Sequence, residues 1–515
     1  MLTEQSQNIP PEPQPKQKLT YNAADTAYAW LSLLLAFWFS QAMPVTKYPL
    51  SGFLLIIVLF ISGFVILRLK KLSVYPVCIF SVTSALVIGA ALLLTDDELL
   101  IGLSFSYSLV SYGYFLYAAF DNRIEKGFSN YIYIDLVKVL FLLPFRSLGS
   151  IFSALAGNSG KKSSSFLLRI LFGIAIAILP TIAVFLFLSY DPDFLELLGK
   201  IFSFDSREIG RFLRSLIFTL PLAMYGFGLY AASREKLLHD KISAQSCGTS
   251  LKKLQILPQL TTLVAVLPIL FLYIIFFISQ WKYYISGFTG ILPQDLSHAE
   301  YARQGFFELC AVSVINLAMI IGIFLFIKRS KSDRCVILKI VTVVFCLCTL
   351  ILISTAVAKL IMYIDSYGLT QKRIYAMWLM VTIAIVFLLI ALGQFLKRFK
   401  TVALCVVVVI AMFAGLAVCN VNALCARYNA DRYLSGTLQI LDVGAMAELG
   451  ESAIPSLVQV ANSIDAEKEP ELHQQIDAIL RAAIAHREKE DPSIFSFSLP
   501  STLADAALED YIPGE

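Results

Sequence analysis

Charge is what this sequence has least of. Only 15% of its 515 residues are Asp, Glu, Lys or Arg, against about a quarter in water-soluble domains. So few charges do not cover a soluble surface, and 58% hydrophobic residues with a mean hydropathy of +0.74 call for an apolar solvent. A net charge of +4 is too small to point to nucleic acid as a partner. Histidine is scarce as well: there are four, none inside an apolar run, and no HExxH pair exists to bind zinc. No GxxxxGK[ST] loop exists to cradle a nucleotide phosphate.

The apolar runs carry almost no ionisable groups at their centres. Coupled transporters and proton pumps need such groups at the membrane midplane, so that class is disfavoured, while an uncoupled channel or lipid carrier stays open. Arg169, Arg214, Lys339 and Lys359 stand near run ends, where long side chains reach the interface. The loop 41–49 lacks Asp and Glu, which counts against a glycosyltransferase acting on lipid-linked sugars. Cysteines are no richer in meaning. Cys78, Cys310, Cys346, Cys348 and Cys405 lie inside apolar runs without metal-ligand spacing, so neither a metal nor a cofactor is expected. Cys419 and Cys425 flank the end of the last run; they stay thiols, or pair if that side is oxidising.

What the sequence does have is apolar runs long enough to cross a bilayer, about twenty residues each. Eleven are expected, near 26–43, 50–67, 74–94, 99–119, 167–188, 212–232, 257–279, 304–327, 335–357, 374–396 and 402–419. The fold class is therefore all-α, a polytopic helical membrane protein with a small extracytoplasmic helical tail.

Orientation follows from Lys and Arg, which resist translocation. Every second loop is basic: Arg68, Lys70 and Lys71; Arg123, Lys126, Lys161 and Lys162; Arg234, Lys236, Lys241, Lys252 and Lys253; Lys328, Arg329, Lys331 and Arg334; Lys397, Arg398 and Lys400. The intervening loops offer Lys47 alone, then the acidic Asp96, Asp97 and Glu98, then a mixed stretch at 191–211 and two polar loops. This places residues 1–24, rich in Pro and Gln, as a flexible cytoplasmic tail, and 421–515 outside. A bacterial plasma membrane, crossed many times, is the expected location.

Between the ends, 25–420 form the membrane domain. The segment 131–155 is apolar but broken by Asp135, Lys138, Pro144 and Arg146, so it lies in the interface or re-enters the bilayer. In the tail, Ser452 is placed to cap a helix with Pro455 in its first turn, and Leu472, Ile476, Ile479, Leu480 and Ala483 recur at helical spacing.

Three polar stretches break the apolar runs, and the topology sends all three to the outer face. The first, HAEYARQGFFEL at 298–309, aligns Tyr301, Gln304 and Glu308 on one helix face, with Arg303 beside them. Asn316 is the most deeply placed strongly polar residue of that span. The second, YIDSYGLTQKR at 363–373, turns at Gly368, places Thr370 to cap the tenth span, and sets Tyr367 and Arg373 at the surface. The third, NVNALCARYNADRY at 420–433, carries Arg427, Asn429, Asp431 and Arg432.

The segments AEYARQGFFEL, YGLTQKR and ARYNADRY, followed by Leu441-Asp442 and SAIPSL at 452–457, resemble the bacterial membrane proteins of the domain-of-unknown-function 4153/4173 group. The resemblance covers the latter half of the chain strongly and the first half only by its apolar layout. It implies a bacterial plasma-membrane location and no settled chemistry. Asn420-Val421-Asn422 stands where the group's Asn-Pro-Asp is expected, a departure that bears on the local turn.

Two readings of the polar cluster follow. In the first, Glu308 pairs with Arg303, Arg373 or Arg427 and locks the eighth, tenth and eleventh spans together. In the second, acids, guanidinium groups and tyrosines at the outer interface hold an anionic or sugar-bearing ligand such as a lipid head group. The preferred function is a non-enzymatic sensor, scaffold or assembly factor that binds a protein partner or envelope component at its outer face. The alternative is an outer-leaflet lipid or small-molecule transporter, or a membrane enzyme.

Overall fold

The computed structural model describes residues 20–42, 45–127, 129–156, 206–238, 242–289, 306–327, 336–396, 400–465, 467–488 and 493–511, with scattered positions between 184 and 197. The protein is all-helical and polytopic. In chain order the helices are α1 (Ala23–Ala42), α2 (Pro49–Leu69), α3 (Pro76–Gly89, continued by Ala91–Leu94), α4 (Glu98–Ala119), α5 (Ile132–Val137), α6 (Ser150–Leu155), α7 (Ser206–Arg234), α8 (Ala244–Leu254), α9 (Gln259–Thr289), α10 (Phe306–Phe326), α11 (Val336–Tyr367), α12 (Gln371–Gly393) and α13 (Thr401–Val418). Beyond them come α14 (Val421–Leu434), α15 (Val443–Ala447), α16 (Ile454–Ser463), α17 (Pro470–Arg487) and α18 (Leu499–Glu509).

Among the described residues, seven helices are long and apolar enough to span a membrane: α2, α3, α4, α12, α13, and stretches of α10 and α11. Helices α1, α7 and α9 coincide with three further expected spans. The remaining one, 167–188, lies almost wholly outside the described residues, as does the expected N-terminal tail up to residue 19.

The chain divides into two compact units. One comprises 1–36 and 148–228, the other 37–147 and 229–515. In the first, Asn22 and Asp25 cap the start of α1 reciprocally, each side chain accepting the other's backbone N–H, at 2.9 and 3.1 Å. The Thr26 hydroxyl ties that helix to the Ala154 carbonyl of α6 at 2.8 Å.

The second unit holds all seven of those helices. Serines join α3 to α4: Ser111 donates to the Ser81 carbonyl at 2.9 Å, Ser108 to that of Ala85 at 3.1 Å, and the Tyr107 hydroxyl to Ser84 Oγ at 2.8 Å. Small residues with satisfied hydroxyls let helix backbones approach where lipid supplies no hydrophobic drive. Gly63 of α2 serves the same purpose: a Cβ there would stand 2.6 Å from the Phe115 ring of α4.

Further along, α13 packs on both α3 and α12, and α11 packs on α9, α10 and α12. Deep in that second group Asn316 is buried. It accepts from the Tyr273 hydroxyl at 2.5 Å and donates to Thr349 Oγ1 at 2.9 Å, so one polar residue links α9, α10 and α11.

The helices after α13 build their own core. Val421, Cys425, Ala426 and Ala430 of α14 pack with Met446, Leu449, Ile454, Leu457, Ile476, Leu480 and Leu508, and that core runs into Leu100 of α4 and Leu416 of α13. Its helices begin where side chains satisfy the first free N–H groups: Asn420 accepts from Ala423 N at 3.0 Å, Asp442 from Ala445 N at 2.9 Å and Ser498 from Ser501 N at 3.2 Å. Leu472, Ile479 and Ala483 of α17 pack partly buried on this core beside Ile476 and Leu480, as their spacing predicts.

Candidate functional site

Four stretches far apart in sequence meet where the tail docks: the 95–98 turn, the 368–373 turn, the start of α14, and a short 3-10 turn at Gly450–Ala453. This end of the bundle is called the tail face. At its centre Asp96 accepts three hydrogen bonds, from the Ser452 backbone N–H at 2.9 Å, the Ser452 hydroxyl at 2.8 Å and the Asn422 amide at 2.8 Å. Charge-assisted bonds of this sort are about twice as strong as neutral ones.

Asn422 is buried and fully used. Its amide also reaches the Leu449 carbonyl at 3.1 Å, while its Oδ1 accepts from Gln371 Nε2 at 2.5 Å. Asn420, besides capping α14, donates to Ser452 Oγ at 2.9 Å. The turn can close on Asp96 because Gly450 takes a left-handed conformation, φ +68°, in which a Cβ would stand 2.8 Å from Asp96 Oδ2.

A second clasp lies alongside. Asn429 of α14 grips the backbone of Leu369 twice, accepting its N–H at 2.6 Å and donating to its carbonyl at 2.8 Å. Gly368, φ +76°, leaves the room: a Cβ there would fall 2.5 Å from Asn429 Oδ1. Next to it Asp97 caps α4 through Leu100 N at 2.9 Å and accepts from the Tyr375 hydroxyl of α12.

The residues expected to form the outer cluster fall in several places. Tyr301, Arg303 and Gln304 lie outside the described residues, as does the side chain of Glu308. The stretch from Tyr363, expected as a loop, stays helical to Tyr367, and Arg373 folds back onto this end of α11, donating to the Tyr367 and Gly368 carbonyls and lying 4.2 Å over the Tyr363 ring. Arg427 is 80% exposed and makes a 3.6 Å ion pair with Asp431 one turn on. Arg432 faces Asp365 at 3.5 Å and donates to the Thr437 carbonyl at 3.2 Å. Tyr367 is exposed. Asn316 belongs to the buried link between α9, α10 and α11, apart from this group.

Two capping assignments change. Thr370 occupies the N-cap position of α12, but its side chain accepts no hydrogen bond there. Ser452 caps nothing: α16 starts after Ala453 without a side-chain cap, and the serine's hydroxyl goes to Asp96. Cys419 and Cys425 are both free thiols, and burial pushes the Cys425 thiol up to about 12.

The family model of a domain of unknown function, DUF4153, matches residues 82–460, from the middle of α3 into α16, and so spans Asp96, Asn422, Asn429 and Ser452. The chain belongs to the DUF4153 family. No curated protein and no solved structure matches it.

This DUF4153 protein carries a second polar centre on the opposite, basic face. Asp135 and Lys138, which break the apolar pattern of 131–155, are completely buried there. Lys138 Nζ donates to the Ile242 carbonyl at 3.1 Å and to the Tyr117 oxygen at 3.3 Å, and stands 3.9 Å from Asp135. The helix widens into a π-helical stretch at Lys138–Leu142, a local register change frequent at functional positions.

Proton counting describes the pair. The single Tyr117 hydroxyl lies 2.5 Å from the Asn122 carbonyl and 2.6 Å from Asp135 Oδ1, so only one of these contacts can use its proton. Burial pushes the Asp135 carboxyl upward, against the pull of Tyr117 and Lys138, and burial pushes the Lys138 amine downward. Beside them Arg123 stacks 4.5 Å over the Tyr75 ring, and Asn122 donates to the Ser233 carbonyl at 2.7 Å. Segment 131–146 is thereby bolted to the end of α4 and to residues 233–242. Among the described residues no group of His, Cys, Asp and Glu is placed to hold a metal.

Proposed function

We propose that this protein is a non-enzymatic scaffold or sensor of a bacterial plasma membrane, whose tail face presents a binding surface for an envelope component or membrane partner. The observation that carries this reading is the Asp96 node. Its carboxylate, the Asn422 amide and the Ser452 hydroxyl spend their hydrogen-bonding groups on one another and on Gln371 and Leu449, joining tail to bundle. Groups committed in this way hold a shape. The exposed rim of the same face, Tyr367 and Arg427, is where a partner or an anionic head group would bind.

In this proposal the basic loops lie in the cytoplasm and the tail face is outward. The contacts support the alternation on which that orientation rests. Asp96 meets Ser452 and Asn422, and Asn422 meets Gln371, on one face, and Asn122 meets Ser233 while Asn130 Oδ1 accepts from Ala403 N at 3.4 Å on the other. Alkaline phosphatase fused after Glu515 should then be active and a fluorescent protein in its place dark; the reverse pattern would turn the tail face inward. To separate scaffold from enzyme, the purified chain is incubated with envelope lipids. The lipid profile should stay unchanged, whereas turnover that Glu308→Gln abolishes would replace this reading with the enzymatic one.

A further inference from the structure

The tail contains one stretch that does not behave like the rest of it. Residues 493–503 read SIFSFSLPSTL, eleven positions without a charge, separated by Pro492 from the charge-dense REKED at 487–491. Ile476, Leu480, Ala504 and Leu508 turn into the tail core, yet Ile494 is 81% exposed and Phe495, Phe497, Leu499 and Leu503 are also exposed. Contiguous apolar exposure of this kind marks an interaction surface.

Three observations say what covers it. The turn Ile494–Ser496 lies against α2, a membrane-spanning helix, and α18 lies against the Ala91–Leu94 end of α3. The α2 and α3 ends meet where a Cβ on Gly52 would touch Leu92, four residues before Asp96, so the stretch sits at the rim of the bundle where spans leave the bilayer.

Its backbone is also sealed locally. Ser493 Oγ accepts from Phe495 N at 3.3 Å, Ser493 O from Ser496 N at 3.0 Å and Ser496 Oγ at 2.7 Å, and Ser498 from Ser501 N and Thr502 N, both at 3.2 Å. Backbone groups closed by their own side chains suit a poorly hydrated surrounding. Finally, the one charge that reaches it is paired: Arg487 is held by Glu451 and Asp505 and donates to the Ser501 carbonyl.

We propose that Ser493–Leu503 is an interfacial anchor, with Ile494, Phe495, Phe497, Leu499 and Leu503 seated among the head groups and upper acyl chains of phospholipid. The tail is then held at two points, by Asp96 on the bundle and by lipid at its rim.

The test places photoreactive benzoyl-phenylalanine singly at Phe495, at Phe497 and, as control, at Gln475 on the exposed polar side of α17. The full chain is reconstituted in vesicles of phosphatidylethanolamine and phosphatidylglycerol. Illumination should give phospholipid-mass adducts at 495 and 497 and none at 475. Chain-to-chain dimers, adducts to another protein in native membranes in place of lipid, or equal lipid labelling at all three positions would overturn the proposal. A second measurement uses Phe495→Ser with Phe497→Ser, checked for an unchanged gel-filtration profile. Protease should cut 487–492 several-fold faster in vesicles but not in detergent; an unchanged rate in vesicles would also overturn it.

Discussion

Asp96 sits in a turn whose neighbours in sequence, Asp97 and Glu98, look equally suited to a solvated acidic loop. Its role comes from partners 326 and 356 residues away, which no local pattern reveals. Asp96→Asn keeps the shape but turns an NH2 toward groups that are themselves donors, so it should cost about 1–3 kcal/mol of tail docking. The readout is the thermal midpoint of the purified chain, and an unchanged midpoint would remove Asp96 as the clamp.

The glycines give a controlled comparison at the same scale. Gly450→Ala combines left-handed strain with a collision at Asp96, whereas Gly436, φ +73°, has nothing near a new Cβ. Ala at 436 should cost about 1–2 kcal/mol from backbone strain alone, and Ala at 450 distinctly more. Equal midpoints would deny the close approach at Asp96. Ser452 illustrates why sequence reasoning went astray here. A serine three residues before a helical Pro has the pattern of a cap, but α16 begins only after Ala453, and the Ser452 hydroxyl and N–H both donate to Asp96.

Helices were the legible scale. Their apolar runs are long because lipid leaves backbone groups no partner outside the helix, and α2 to α4 and α10 to α13 fall where those runs lie. Legibility failed at 131–155, where Asp135 and Lys138 were visible as interruptions but their purpose was not, since Tyr117, Asn122 and Ile242 belong to other elements. A buried pair of this kind makes an asymmetric prediction. Lys138→Met alone strands Asp135 and should destabilise by about 3–5 kcal/mol, while Lys138→Met with Asp135→Leu should be near neutral or stabilising.

Its pH dependence has a definite sign. Asp135, raised in the folded state, gives stability that is complete below the ordinary carboxylate value of about 3.9 and is lost as pH rises through its folded value. Lys138, lowered, gives stability that is complete above about 10.4 and is lost as pH falls through its folded value. The groups facing them, Tyr114, Tyr117, Arg123 and Cys247, carry no carboxylate. Stability contributed by the pair therefore has its minimum between the two folded values and rises on either side. The double variant should flatten that dip in midpoint against pH, and a dip of equal depth in both proteins would assign it elsewhere.

For the whole molecule, the decisive feature is that the last ninety or so residues close back on the bundle. The periodicity of α17 forecasts a packed tail, but not that its core is continuous with Leu100 and Leu416, because continuity depends on three-dimensional placement of runs that each look complete alone. The tail-face contacts are numerous and of two kinds. Asp96, Asn420 and Asn422 supply hydrogen bonds, while Val421, Ala426 and Ala430 of α14, attached directly to α13, supply apolar surface to Met446, Leu449, Ile454 and Leu457. Burying side chains the size of Val421, Met446, Leu449, Ile454 and Leu457 contributes about 1.5–3 kcal/mol each before ordering costs. A covalent link is then unnecessary to keep the tail in place. Inserting a protease site between Gln439 and Ile440, two exposed positions, and cutting it should leave residues 440–515 co-eluting with the bundle on gel filtration in mild detergent. In the Asp96→Asn background the same cut should release the fragment measurably faster, because the two Asp96 hydrogen bonds to Ser452 of the fragment are then lost. Immediate loss of the fragment from the unaltered chain would mean that the linker, rather than the tail face, holds the two together.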